Sequence, residues 1–170
     1  MGAADASSIN TSSEALADSL GVDAKQGNNT VLIAGNAFND AKQSVATLRV
    51  SVRSSAEMGQ AEMREGLKEP KASTDAALMQ GADITAAAMR KVTGMVYYKA
   101  LSASLSQNAS LICIKTTFEY DGGRGPMISD TWVCPLTTRA VKLSTSYQKA
   151  RANLFAPTID YIWRSLSVTG

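Results

Sequence analysis

The chemistry open to this chain is bounded first by a missing residue type. Its 170 residues contain no histidine and only two cysteines, Cys113 and Cys134. Histidine is the commonest general base near neutral pH and the commonest metal ligand, so both roles are closed to their usual occupant. Two thiolates also fall short of the four protein ligands that a structural zinc site takes. The sequence therefore reads as non-catalytic, with no metal and no cofactor.

The remaining candidates are few. If Tyr120 pairs with Met127 across the loop between them, Cys113 falls opposite Cys134. Directly opposed antiparallel residues have Cα atoms ~4.5–5.5 Å apart, within the range a disulfide spans. The other reading is two buried free thiols, because a register shift of one residue would part them. Ser146 and Lys149 have Ser-x-x-Lys spacing. The companion Ser-Asp-Asn and Lys-Thr-Gly motifs are absent, so a solvated helix face explains the pair better. The run Asp121-Gly122-Gly123-Arg124-Gly125-Pro126 is glycine-rich but lacks the closing Gly-Lys-Ser/Thr of a phosphate loop, and reads as a hairpin tip. Glu57, Glu62, Glu65 and Glu69, interleaved with Arg64 and Lys68, read as a solvated helix face. Sequons at Asn10, Asn28 and Asn108 are the kind that chance supplies in a chain rich in Ser and Thr.

The elements that must carry these residues follow from periodicity. Residues 1–29 are small and polar and read as a mobile N-terminal arm, with a short helix at about 12–20 behind Thr11-Ser12-Ser13-Glu14. Residues 30–170 read as a single helical domain. Val31, Ala34, Phe38, Ala41, Val45, Leu48 and Val52 are spaced alternately three and four apart, the pattern of an a/d seam. This predicts a helix from 30 to 69, ended by Pro70, followed by a second from about 73 to 106. At 1.5 Å per residue the first would be ~60 Å long, against roughly 40 Å for a compact domain of this size. Its apolar seam would then need cover from a neighbouring copy.

From Ser110 to Tyr120, and again from Met127 to Leu136, the period becomes two and β-branched and aromatic residues dominate, predicting a β-hairpin at about 110–136. Ile112, Ile114, Phe118 and Tyr120 would face the core, and Lys115, Thr117 and Glu119 would face out. Helix is expected again at about 138–155, with a last helix opened by Pro157. The fold class is therefore mainly α (α+β): a long helical hairpin with a β-hairpin insertion and C-terminal helices.

Charge is unevenly distributed. Residues 1–89 carry 7 Lys or Arg against 11 Asp or Glu, whereas residues 90–170 carry 10 against 4. Three readings follow: head-to-tail assembly of acidic and basic halves, internal neutralisation, or nucleic-acid contact through Arg139, Lys142, Lys149 and Arg151 along one helix. The favoured function is a structural protomer of a multi-subunit assembly, such as a virion component or a secretion or injection apparatus. Its partners would be copies of itself or fellow subunits. The alternative is a nucleic-acid-binding module. No apolar run approaches the ~20 residues of a membrane span, and the first residues lack a signal peptide's basic start and apolar core. The expected location is cytoplasmic, or virion or extracytoplasmic if the two cysteines are oxidised.

Overall fold

The computed structural model describes residues 2–3, 30–39, 44–54, 59–92 and 94–167. Their strands are β1 (Gly2–Ala3), β2 (Thr30–Phe38), β3 (Ser44–Ser54), β4 (Tyr97–Gln107), β5 (Ile112–Asp121), β6 (Met127–Pro135) and β7 (Arg139–Gln148). They form one antiparallel sheet in the order β1-β2-β3-β7-β6-β5-β4. The helices are α1 (Gln60–Gly66), α2 (Lys71–Met89) and α3 (Ala152–Ser165), the last entered through a 3-10 turn at Lys149–Arg151. β4 to β7 form a meander. β3 closes onto β7, so α1 and α2 must carry the chain from one side of the sheet to its far edge.

The sheet dominates, which corrects the mainly α expectation. The predicted helix 30–69 is instead the β2–β3 hairpin followed by α1. Of the supposed seam, Val31, Ala34 and Phe38 lie in β2, and Val45, Leu48 and Val52 lie in β3. Ala41 lies outside the described residues, as does the arm 4–29 with its predicted helix. No helical ridge is left to cover. Val45 is buried, Leu48 and Val52 pack on the core, and Phe38 is 55% exposed. The physical reason is that the supposed seam mixes residues from both faces of a strand. Leu48 and Val52 oppose Thr145 and Val141 on one face, while Val45, at odd spacing from both, points to the other. When both faces bury apolar residues, spacings of three and four cease to mark a helix.

Two further helices are corrected in the same way. The stretch read as helical from 73 to 106 ends at Met89 with a cap at Arg90. Gly94, at a φ of 83°, then turns the chain into β4. The stretch read as helix 138–155 is β7, where Ala140 and Val141 are buried, and Leu143, Thr145 and Tyr147 alternate with the half-buried Lys142, Ser144 and Ser146. β5 and β6 occupy the stretch read as a hairpin, but in the body of the sheet rather than as an insertion in a helical domain. Pro157 sits in the second turn of α3, not at its start.

Two helices pack on opposite faces. α3 buries Ile159 and Trp163 against Trp132, Leu143, Tyr147 and the cysteines, with the Trp132 and Trp163 rings stacked at 5.6 Å. The Asn108 amide donates to the carbonyls of Trp163 and Leu166, both at 2.8 Å, and fixes the C-terminal end of α3. On the other face α2 lays Ala82 and Ala86 against Ala103 and Phe118, small side chains that let helix and strand approach closely. α1 is pinned by Gln60, whose amide donates to the carbonyls of Ile112 and Pro135 and accepts from the Ile112 N–H. It supplies a donor where Pro135 has no N–H to offer.

Tyr120 opposes Met127 in the β5–β6 ladder, and Cys113 and Cys134 are joined by a disulfide with Cα atoms 4.2 Å apart. The bridge lies fully buried beneath α3. With the cysteines 21 positions apart in sequence, the chain-entropy model assigns the bridge about 3 kcal/mol. The expected intact mass is 2 Da lower without reductant than with it. The Cys113→Ala/Cys134→Ala double variant should lose about 3 kcal/mol in denaturant unfolding. An unchanged midpoint would remove the bridge from the stability of the fold.

Candidate functional site

Because α3 sits over β6 and β7, the same face of β5 and β4 is left uncovered beside it. A groove of ≈ 400 Å³ opens along this step. Ser106, Lys115, Asp130 and Trp132 line it from the sheet, and Ala156, Ile159, Asp160 and Trp163 line it from α3. The sheet residues meet there because of register. Lys115 opposes Trp132 and Thr117 opposes Asp130, so Lys115 and Asp130 are diagonal neighbours on one face.

Three polar groups in this groove are incompletely matched. Asp130 is 6% exposed, and its carboxylate accepts from the Thr117 hydroxyl at 2.6 Å and the Tyr147 hydroxyl at 3.0 Å. Among the described residues it has no cationic partner. Burial, then the Asp130 charge, pushes the Tyr147 phenol up, so it stays a proton donor to that carboxylate. The Lys115 ammonium lies 4.8 Å from the centre of the Trp132 ring and, among the described residues, meets no carboxylate. The buried Trp132 indole N–H has no acceptor among the described residues. An orphaned buried donor costs about 1–3 kcal/mol.

Glu119 forms a second polar cluster near the β5–β6 turn. Its carboxylate accepts from Lys149 at 2.8 Å and from the Tyr97 hydroxyl at 2.8 Å, with Lys99 at 3.4 Å. The Lys149 hydrogen bond and then that of Tyr97 hold Glu119 down to about 2. The same bond to Glu119 raises the Tyr97 phenol. The cluster is closed on itself: one carboxylate balanced by two ammoniums has no spare valence for acid–base work. Glu119 was expected to face out, and its side chain is only 8% exposed because these partners cover it.

The other residues singled out by sequence are placed as follows. Ser146 Oγ lies 2.6 Å from the Tyr120 hydroxyl on the face opposite Glu119, while Lys149 bridges to Glu119, so the Ser-x-x-Lys pair is not brought together. Arg139, Lys142, Lys149 and Arg151 do not share a helix. Arg139 opens β7, Lys142 lies within it, and Lys149 and Arg151 belong to the 3-10 turn past its other end. Glu65 of α1 pairs with Lys68 just past its end, both side chains exposed, Glu62 accepts from the Gly59 N–H, and Glu57 lies outside the described residues. In the glycine-rich turn the Asp121 carboxylate accepts from the N–H groups of Gly123 and Gly125, both at positive φ, which makes it an ordered hairpin tip. Asn108 is committed at both ends of its amide, to α3 and to the Ser110 and Leu111 N–H groups. Among the described residues no cluster of Cys, Asp or Glu is arranged to hold a metal ion. Nor is any described helix long and apolar enough to cross a membrane.

No protein-family model matches the sequence, and no curated protein is detectably similar to it. The chain is similar to the crystal structure of a protein of unknown function from Pseudomonas aeruginosa, at 9% identity and a TM-score of 0.46. The match covers 85% of this chain and 83% of that one. Similarity at this level carries no argument about function.

The Glu119 cluster makes stability depend on pH with a definite sign. A carboxyl held from 4.5 down to about 2 in the folded state contributes fully above about pH 4.5. That contribution fades as pH falls through about 2. Urea midpoints should therefore decline between these limits for the wild-type protein. Glu119→Gln should lower stability at neutral pH and flatten the decline over that window. Parallel curves for the two proteins would contradict the assignment.

Proposed function

We propose that this protein is a non-catalytic protomer of a multi-subunit assembly, joined to its neighbours through the outer edge of β4. The observation that carries this reading is that edge itself. β4 runs for 11 residues, pairs on one side with β5, and among the described residues meets no strand on the other. An open row of backbone donors and acceptors is a template for another strand. At the opposite edge, β2 pairs with Gly2–Ala3 of the same chain. Proteins that keep an edge to themselves interrupt it with charge, proline, a bulge or short length, or cover it with a helix; β4 has one irregularity, between Ala100 and Ser102, and α2 packs against its Ala103. β4 has no proline and a single charge, Lys99.

Side chains at this edge support the same reading. Leu101 is 44% exposed at the irregularity between Ala100 and Ser102, and Val96, just before the strand, is 69% exposed. The closed ion cluster at Glu119 and the separation of Ser146 from Lys149 leave binding rather than turnover as the use of this surface. The uneven charge of the sequence lends no support either way: β2 and β3 carry none of the acidic residues of positions 1–89, and six of those eleven lie outside the described residues. The assembly reading therefore rests on the strand edge and not on charge polarity. The four cations proposed for nucleic acid lack a common surface element, and no specific observation favours that alternative.

Light scattering on the purified chain should give a mass above the 17.9 kDa of one copy, rising with concentration. Leu101→Lys should shift the distribution at least tenfold in concentration toward the single chain, with an unchanged far-ultraviolet spectrum. A monomer at every concentration, unaffected by Leu101→Lys, would end this proposal.

A further inference from the structure

We infer that the groove between α3 and strands β5–β6 is a binding site for a small zwitterion, a free amino acid with an apolar side chain. This goes beyond the assembly reading and does not depend on it. Three polar groups stand around one cavity of ≈ 400 Å³: among the described residues the Trp132 N–H has no acceptor, and Asp130 and Lys115 have no opposite charge. Asp130 offers a buried carboxylate with only hydroxyl donors, Lys115 an ammonium without a carboxylate, and Trp132 an indole N–H without an acceptor. Buried polar groups in folded proteins are matched, so the orphaned Trp132 N–H, beside a buried carboxylate with no counter-charge, needs an explanation.

The signs and positions of the three groups select the ligand. Lys115 and Asp130 are diagonal neighbours across β5 and β6, a relation that places Cα atoms ~7–8 Å apart. At that separation a lysine and an aspartate are within reach of each other, yet they do not pair. The Asp130 carboxylate turns to Thr117 and Tyr147, and the Lys115 ammonium rests on the Trp132 ring. The space between them suits a molecule carrying both charges on groups attached to one carbon. Its ammonium would meet Asp130, with Asp160 at the rim. Asp160 is already bound by Arg164 at 2.8 Å and is the weaker attractor. The ligand's carboxylate would meet Lys115 and, once that side chain lifts from the ring, the Trp132 N–H. The α3 wall of Ala156, Ile159 and Trp163 then faces the ligand's side chain and favours an apolar one. A simple anion would leave Asp130 unmatched and repelled, and a simple amine would leave Lys115 and Trp132 as they are.

The test is calorimetric titration of the full chain with leucine, with 3-methylbutylamine (the same molecule without its carboxylate) and with 4-methylpentanoate (without its amine). Leucine should bind saturably at one site, and each half-molecule at least tenfold more weakly. Lys115→Met should weaken leucine at least tenfold while leaving the amine unchanged. Asp130→Asn should weaken leucine and the amine but not 4-methylpentanoate, which gains from the lost repulsion. Lys115 is partly exposed and makes no structural hydrogen bond among those described, so its variant decides the matter even if Asp130→Asn fails to fold. Three results would overturn the inference: no saturable binding of leucine, a half-molecule that binds as well as leucine, or a Lys115→Met protein with unaltered leucine affinity.

Discussion

The seat of α3 on β6 and β7 is the contact on which the rest of the described structure depends. Trp163 stacks on Trp132, and Ile159 joins it over Leu143, Tyr147 and the Cys113–Cys134 bridge. The two tryptophans and their aliphatic neighbours form the larger apolar cluster among the described residues, worth roughly 25 cal/mol per Å² removed from water. It also sets which sheet face is which. Once α3 occupies the β6–β7 side, the odd-numbered residues of β7 must be apolar or satisfied, and they are: Val141, Leu143, Thr145 and Tyr147. The step at the edge of α3 is where the groove forms. The groove is thus a product of a 14-residue helix covering only part of a seven-stranded sheet.

The parts of this architecture legible in sequence are those where one face of a strand differs sharply from the other or where a turn is unmistakable. Asp121-Gly122-Gly123-Arg124-Gly125-Pro126 marks a reversal because two of its glycines take positive φ and Asp121 caps their N–H groups. The flanking period-two runs leave little doubt about β5 and β6. The Ala-rich stretch after Pro70 is legible as helix because alanine loses least on entering one. Its end is not. The chain from Lys91 to Gln107 carries no proline, and only Gly94 punctuates it.

The misreading of residues 30–54 has a different origin. Valine, isoleucine and threonine recur there as Val31, Ile33, Val45, Thr47, Val50 and Val52, a strand-forming composition. The three-and-four spacing outweighed it only on the assumption that one face is buried and the other wet. Here Val45 and Val50 are both buried yet point to opposite faces of β3. From Ala46 onward the strand in fact alternates, with Ala46, Leu48, Val50 and Val52 apolar and Thr47, Arg49 and Ser51 polar between them, and only Val45 at its start breaks the pattern and completes the three-and-four spacing. β7 illustrates a milder form: its half-buried Lys142, Ser144 and Ser146 look like the wet side of a helix until the register with β3 and β6 is known.

The groove was in principle within reach of the same arithmetic that sets the cysteines opposite each other. Placing Tyr120 opposite Met127 fixes Lys115 opposite Trp132 and Thr117 opposite Asp130, so the diagonal pair of opposite charges follows from one register. What that register does not contain is the neighbour on the third dimension. Lys115, Thr117 and Glu119 read as solvent-facing because nothing in a hairpin says which side a distant helix will cover. α3 follows β7 through the short turn at Lys149–Arg151, and that turn also brings Lys149 onto Glu119. The helix lands on the same face of the sheet over β6 and β7, beside the odd-numbered residues of β5, and turns an outward charge pattern into a cavity wall. Polar residues on a strand are therefore weak evidence of exposure wherever a later helix is tied back over the sheet by so short a link.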